Sequence, residues 1–340
     1  WSDLIMNMTE KGDSREIPEN VTLCYWDYYH DGKKHYDDNI KKHLALTDKV
    51  SFAGGAWAWT GYAPMNKHSM FTMKYAMQCC RERGIKDVTM TVWGDDGRDC
   101  SCFAALPTLF YCAEKYLYGT KDGDIKRKFG ETYGVKFDTF LTLDLPNEIA
   151  DRTGCNNPSR WGFYNDPFVG RFDYHISLGD GTPYKNYALK IRYAAKNAGE
   201  FKYIFDNLSD FCRVMELKYD LGVRTRKAYL DKNAEELGRI ANEVYPELIK
   251  RLKKFVVGFK ARWSRENKPF GLELHEMRLG GLLMRLESCK EVILDYLDGK
   301  IDKIEELEAP VLPFEVGVGK TANFCFQSHI NNVTVASMNL

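Results

Sequence analysis

The sequence has 340 residues, which is more than one domain usually needs, so it predicts two domains. Its 48 basic and 48 acidic residues give a net charge near zero, which argues against nucleic acid or an anionic membrane as a partner. No run approaches the roughly 18 apolar residues of a membrane span, and ten scattered cysteines without a CxxC pair predict reduced thiols and a cytoplasmic location.

The first 118 residues alternate strand patterns with helical patterns. Apolar, β-branched runs predict three strands, at 20–26, 50–57 and 87–93. A helical pattern follows each of them, and the last two patterns end on Gly84 and Gly119. Strands that are buried on both faces and alternate with helices indicate a parallel α/β sheet. Three units cannot close a (β/α)₈ barrel, so we interpret residues 1–118 as the C-terminal half of a TIM barrel, about strands 5–8, with the earlier strands upstream of Trp1.

From residue 119 onwards the pattern becomes helical. Three long segments have apolar residues at helical spacing and charged outer faces, and they predict a bundle of about four or five helices over 119–312. The segment 153–184 is rich in turn residues and aromatics, which predicts a long ordered loop. The tail, 313–340, is predicted to form one or two short strands.

Tryptophans recur where the predicted strands end. Because the C-terminal ends of barrel strands share one mouth, we expect four tryptophans there, three of them with an acid within two residues. Flat apolar rings beside carboxylates suit a sugar, whose C–H face packs on an aromatic ring while its hydroxyls donate to aspartate. The alternative is that each tryptophan only seals the core. The four motifs are Trp1-Ser-Asp3, Trp26-Asp27, Trp57-Ala-Trp59 and Trp93-Gly-Asp95.

The adjacent carboxylates Asp95 and Asp96 could form a catalytic acid pair, but they lie between Gly94 and Gly97. Such flanking glycines are typical of a turn in which Asp96 caps the next segment. We therefore expect Asp95 to bind ligand and Asp96 to be structural.

The histidines are weaker candidates for a site. The stretch "ELHEMR" at 273–278 lacks the second histidine of an HExxH zinc motif, so it predicts a hydrogen bond on a helix surface or between helices. His30, His35 and His43 surround one predicted helix start, and we expect them to be solvated rather than to ligate a metal. The sequence therefore predicts neither a metal site nor a cofactor.

In combination the motifs resemble the family 20 glycoside hydrolases, the β-N-acetylhexosaminidases. The closest resemblance is to the bacterial exo-β-N-acetylglucosaminidase branch that carries a C-terminal helical domain. The barrel-like motifs are "WSD" (1–3), "YWDYYH" (25–30), "FAGGAWAWTG" (52–61) and "VWGDDG" (92–97), and the helical-domain motifs are "YNDPFVGRFD" (164–173) and "NKPFGLELHEMRLGGLLMRL" (267–286).

The resemblance implies roles for four residues of this sequence. In the family a box of tryptophans from strands five, six and eight holds the acetamido group, and here it would consist of Trp1, Trp26 and Trp93. Asp95 takes the place of an acid that holds sugar hydroxyls, where relatives often have glutamate.

One strand departs from the family pattern. Many members carry Tyr-x-Asp on strand seven, where this sequence has Trp57-Ala-Trp59. The resemblance then implies that Tyr25, Tyr28 or Asp27 on the neighbouring strand takes over the contact to the acetamido oxygen.

The resemblance also implies the reaction, removal of terminal β-linked GlcNAc or GalNAc with retention, in which the substrate's acetamido oxygen attacks the anomeric carbon. The family's catalytic Asp-Glu pair ends strand four, and this sequence contains no Asp-Glu dipeptide. We therefore expect no catalytic residue here and an inactive chain in isolation. N-acetylhexosamine-terminated glycans are the expected partners, with a possible homodimer through the helical domain. The alternative is a non-catalytic carbohydrate-binding or interaction protein with a degenerate barrel.

Overall fold

The computed structural model describes residues 1–12, 16–149 and 156–314, which form two compact units. The first unit consists of Trp1–Ala58, Pro64–Trp93 and Cys102–Leu141. The second consists of Trp59–Ala63, Gly94–Ser101 and the described residues from Thr142 onwards.

The first unit contains a three-stranded parallel sheet in the order β1-β2-β3. Leu23 of β1 pairs with Val50 of β2, and Ser51 of β2 pairs with Asp87 of β3. This arrangement confirms the three predicted strands, their parallel pairing and the helix that follows each. The elements are α1 (Asp3–Glu10), β1 (Leu23–Trp26), α2 (Lys33–Leu44), β2 (Val50–Gly55), α3 (Asn66–Glu82), β3 (Asp87–Thr91), α4 (Leu106–Tyr118), α5 (Asp122–Tyr133) and α6 (Phe137–Leu141).

The strands differ in burial. Every residue of β2 is buried, whereas β3 alternates between exposed and half-buried residues. The prediction that all strands are buried on both faces is therefore wrong for β3, none of whose residues is fully buried. Within the described residues β3 is also an edge strand, with a hydrogen-bonded neighbour on one side only. At the opposite edge, the Ser2 amide donates to the Cys24 carbonyl at 3.0 Å, so the first residues of the chain lie beside the end of β1.

The first unit extends to Leu141, beyond the domain boundary that we predicted at residue 118. Phe129 of α5 lies at the centre of this extension. Its ring centroid is 5.5 Å from that of Phe110 in α4, 5.2 Å from that of Phe137 and 5.5 Å from that of Phe140. The predicted helical domain began at residue 119, and a helical pattern gives no indication of which core the apolar face of α5 joins.

The second unit is helical, as the pattern from residue 119 onwards predicted. Helix α9 packs against α8 and α12, and α12 packs against α13. No helix in the described ranges combines the length and apolar character required to cross a membrane. The helices are α7 (Pro158–Tyr164), α8 (Thr182–Ala195), α9 (Lys202–Lys218), α10 (Leu221–Leu230), α11 (Ala234–Arg239), α12 (Tyr245–Glu266), α13 (Leu272–Leu297) and α14 (Glu305–Glu308).

Helix α7 lies inside the segment that we predicted to be a loop, and all seven of its residues are buried. Its sequence, PSRWGFY, is short and contains Gly162, so local propensity gives no helix signal. The glycine is required by packing, because a Cβ atom at Gly162 would lie 2.4 Å from Cε2 of Tyr219. Tertiary contacts thus stabilise a helix that periodicity could not reveal.

Two predictions fall partly or wholly outside the described residues. The predicted loop begins at 153, whereas the structure is described again from residue 156. The predicted strands of the tail, 313–340, lie beyond Phe314, the last described residue, except for its first two positions.

Candidate functional site

Three of the tryptophans predicted to line a sugar pocket lie together in the first unit. The ring centroid of Trp1 is 5.9 Å from that of Trp26 and 6.1 Å from that of Trp93. Trp1 is 60% exposed and Trp93 is 38% exposed, so indole surface faces solvent. Asp3 accepts a hydrogen bond from Nε1 of Trp26, which fixes the orientation of that ring. The cluster offers apolar, flat surface that a ligand can reach.

The sheet explains why these rings meet. Trp26 is the last residue of β1, and Trp93 follows the end of β3 by two residues. Parallel strands direct their carboxyl ends to one edge, so two residues 67 positions apart in the sequence arrive on the same side of the unit. The hydrogen bond from the Ser2 amide to the Cys24 carbonyl brings Trp1 to this edge as well.

Tyr28 and Trp57 lie beside the cluster but differ in accessibility. The ring of Tyr28 packs 5.3 Å from Trp26 and is buried. Trp57 is only 2% exposed, and its Nε1 donates to the Tyr28 carbonyl at 3.0 Å. Trp57 therefore fits the alternative in which a tryptophan only seals the core. Trp59, which is buried in the second unit, fits it as well.

Asp27 uses its carboxylate within the first unit. Its Oδ1 accepts from the amides of Tyr29 and His30, at 2.9 and 3.3 Å. Its Oδ2 accepts from the Tyr25 hydroxyl at 3.1 Å and lies 2.8 Å from both His30 Nδ1 and His35 Nε2. Burial alone would raise the pKa of Asp27, but the Tyr29 amide and the two histidines outweigh it and hold that pKa below its ordinary value.

These contacts leave Asp27 less capacity to accept a sugar hydroxyl than the sequence suggested. The Tyr25 hydroxyl is also engaged, because it donates to Asp27, and burial raises the pKa of Tyr25 well above its ordinary value. Of the residues that the resemblance implied for the acetamido oxygen, Tyr28 is the one whose ring packs directly on a cluster tryptophan. Its role in binding stays a prediction.

Asp95 belongs to the second unit, where the segment 94–101, here termed the β3 loop, is held by buried side chains. The Asp95 side chain is exposed, and its carbonyl accepts from Arg160 Nη2 at 3.3 Å. Arg160 also donates to Oδ2 of Asp99, from Nη2 at 2.9 Å and from Nε at 3.2 Å. Both side chains of this ion pair are completely buried. The side chain of Asp96 lies outside what the structure describes, so its predicted capping role stays a prediction.

Two long helices hold the same loop. Arg262 of α12 donates to the Asp99 carbonyl at 2.6 Å, and the Ser101 hydroxyl donates to Glu266 of α12 at 2.7 Å. His275 of α13 lies with Nε2 2.5 Å from the Gly97 carbonyl. The helical unit therefore fixes the backbone of the β3 loop on both sides of its centre.

His275 is the histidine of "ELHEMR", and it does form a hydrogen bond, but to the Gly97 carbonyl of the β3 loop rather than on a helix surface or between helices. The residue is buried rather than on a helix surface, and its ring packs 4.8 Å from Phe259 and 4.9 Å from Trp263. Burial lowers the pKa of His275 below its ordinary value, which favours the neutral ring beside Arg262.

Sequence reasoning missed the buried pair of Arg160 and Asp99. The one available signal was a charged residue inside the aromatic run "SRWGFY", since an arginine among buried rings needs an acid partner. The expectation that His43 is solvated is also wrong, because His43 is buried and contacts the Ser2 hydroxyl at 2.8 Å and the Asn39 carbonyl at 2.7 Å. These partners satisfy both ring nitrogens.

Comparison with known proteins gives one family. The family model described as Glycoside Hydrolase 20C C-terminal domain matches residues 138–325, more than half of the chain. No curated protein matches the chain significantly.

Proposed function

The chain belongs to the glycoside hydrolase 20C family, and on this premise we propose that it is the C-terminal portion of a retaining exo-β-N-acetylhexosaminidase that removes terminal β-linked GlcNAc or GalNAc. The observation that carries the proposal is the partly exposed cluster of Trp1, Trp26 and Trp93. The three parallel strands with intervening helices support the further proposal that the first unit is half of a TIM barrel, as does the edge of β3, which has no neighbouring strand among the residues that the structure describes.

The chemistry assigned to the cluster is substrate positioning. Indole rings pack on the acetamido methyl group and on the C–H face of the sugar, and they exclude water from the acetamido oxygen. That oxygen then attacks the anomeric carbon as the glycosidic bond breaks, and water later opens the cyclic intermediate with overall retention. The general acid and the acid that orients the acetamido group form the Asp-Glu pair that the resemblance implies upstream of this chain.

In the same proposal, the β3 loop supplies the carboxylate of Asp95 to bind sugar hydroxyls. Asp95 presents an exposed carboxylate on a backbone held by Arg160, Arg262 and His275. A rigid backbone lowers the entropy lost when the carboxylate accepts sugar hydroxyls. We place the protein in the cytoplasm, which agrees with the lack of a disulfide among the eight described cysteines.

The test is binding of GlcNAc-thiazoline, a mimic of the cyclic intermediate, to the intact enzyme by isothermal titration calorimetry. Replacement of the Trp93 ring (Trp93→Ala) removes one wall of the cluster, and we expect the affinity to fall at least about tenfold, or roughly 1.4 kcal/mol. The matched control is Phe270→Ala, which removes an 81% exposed ring from the second unit and should leave the affinity unchanged. Equal affinity in the Trp93 variant and the wild type would refute the pocket assignment.

Hydrolysis separates the enzyme from its non-catalytic alternative. The intact protein should release the aryl group from an aryl β-GlcNAc, and Trp93→Ala should reduce kcat/KM. Binding of the thiazoline without any turnover by the intact protein would instead support the carbohydrate-binding alternative.

A further inference from the structure

Two histidines and a buried aspartate converge where β1 ends. Asp27, His30 and His35 each offer one donor atom, and these three atoms all lie within 4.8 Å of one another. The two imidazole rings stack with centroids 3.8 Å apart and an interplanar angle of 16°. The sequence predicted solvated histidines and no metal, whereas the fold assembles a donor set of two imidazoles and one carboxylate.

The backbone holds this donor set in place before any ligand binds. The amide of Asp27 continues the sheet by donating to the Ala53 carbonyl at 3.1 Å, and two amides of the following turn hold Oδ1. Oδ2 is left facing the histidines. The hydroxyl of the fully buried Tyr36 donates to the His30 carbonyl at 2.7 Å, which ties the turn to α2.

Among the contacts described for the Asp27 carboxylate, none is with a lysine. The lysines at the start of α2 pair elsewhere, Lys33 with Glu82 at 2.9 Å and Lys34 with Asp38. The Tyr25 hydroxyl donates to Asp27 Oδ2, and such a hydrogen bond orients a ligating carboxylate. The His30 side chain is 55% exposed, so an ion can reach the group from solvent.

We propose that Asp27, His30 and His35 form a binding site for a divalent transition-metal ion of the Zn²⁺ type, with water in the remaining positions. Imidazole with carboxylate suits Zn²⁺ and its first-row neighbours, whereas Ca²⁺ and Mg²⁺ require oxygen ligands. Each of the two histidine nitrogens lies 2.8 Å from Asp27 Oδ2, so the three donor atoms need only small movements to bind one ion at about 2.0–2.2 Å. The ion would link the end of β1 to the first turn of α2 and would fix the turn that carries Tyr28. The proposal does not depend on glycosidase activity.

The experiment uses the intact protein, freed of metal with a chelator that is then removed, and titrates it with Zn²⁺ by calorimetry and with Co²⁺ by visible absorption. We expect one equivalent of Zn²⁺ to bind, and Co²⁺ to give d–d bands without a thiolate charge-transfer band. His30→Ala and His35→Ala should each lower the affinity at least about tenfold. His68→Ala, which removes a histidine outside the group, should bind as the wild type does.

Three results would overturn the proposal. They are the absence of Zn²⁺ binding by the wild type, equal affinity in all three histidine variants, and a thiolate band that assigns the ion to cysteine. Circular dichroism shows whether each variant is folded, so that a loss of affinity can be separated from a loss of structure. Because the His30 side chain is largely exposed, we expect His30→Ala to disturb the fold least.

Discussion

The buried pair of Arg160 and Asp99 gives the sharpest stability prediction. Both side chains are fully removed from solvent, and Arg160 donates two hydrogen bonds to one carboxylate oxygen. The change Arg160→Met keeps an unbranched side chain of similar length but leaves the Asp99 carboxylate buried without this partner. Removing one member of a buried ion pair costs about 3–5 kcal/mol, because the remaining charge stays desolvated.

The assay is urea unfolding of the intact protein, with the free energy of unfolding obtained by linear extrapolation. The matched control is Arg239→Met in the same unit, since Arg239 also donates two hydrogen bonds to a single carboxylate, that of Glu236 on a partly exposed helix face, at 2.8 and 2.6 Å. Such an exposed pair contributes about 0.2–1 kcal/mol. The two variants therefore compare the same chemistry at different burial.

The double variant Arg160→Met with Asp99→Leu tests the cause of the loss. When both residues are replaced by apolar groups, the carboxylate that Arg160→Met leaves behind is removed as well, and much of the stability should return. A loss below about 1 kcal/mol in Arg160→Met, or a double variant as unstable as the single one, would refute the reasoning. Amide hydrogen exchange in the β3 loop should increase in Arg160→Met, because the carbonyl of Asp95 also loses its donor.

Two further predictions concern the second unit. Burial raises the pKa of Asp173 to about 6, so around pH 5 the folded protein retains a proton that the unfolded chain has released, and this contribution to stability is lost as the pH rises through about 6. Asp173→Asn should remove a loss of roughly 3 kcal/mol between about pH 3 and about pH 7, measured as the change in the difference between the wild-type and variant free energies of unfolding, and an identical pH dependence in both proteins would contradict it. Gly162→Ala should destabilise by about 1–3 kcal/mol, since the added Cβ would lie 2.4 Å from Tyr219, whereas Gly280→Ala on α13 meets no atom within 4 Å and should stabilise by about 0.5–1 kcal/mol; equal thermal shifts in the two variants would show that the close contact does not matter.

The three strands of the first unit and the helix that follows each of them were predictable because their signals are local. Apolar runs of strand length, helical spacing and terminal glycines each depend on a few neighbouring residues, and Gly119 indeed ends α4 in a left-handed conformation. The convergence of Trp26 and Trp93 was also predictable, because parallel strands must share the edge at which their carboxyl ends lie. The family could be identified from the same motifs.

Several features of the candidate site were not predictable, because they depend on contacts between distant residues. Arg160 and Asp99 are 61 positions apart, and His275 and Gly97 are 178 positions apart. A single sequence without aligned relatives gives no measure of which charged residues become buried together. For the same reason the sequence did not predict the contacts of Asp27, which it suggested as a sugar ligand and which the structure places between His30 and His35.

The sequence by itself determined the three strands, the helices that follow them, the helical character of the second unit, the family and the tryptophans at the strand ends, since periodicity and strand direction follow from local residue order. The tertiary structure alone decided which of those tryptophans stay accessible, with Trp57 buried and Trp93 partly exposed. It also decided that the loop bearing Asp95 is held by helices that follow much later in the chain. The physical reason is that burial and long-range pairing are set by packing of the whole unit, and packing has no signature within a short stretch of sequence.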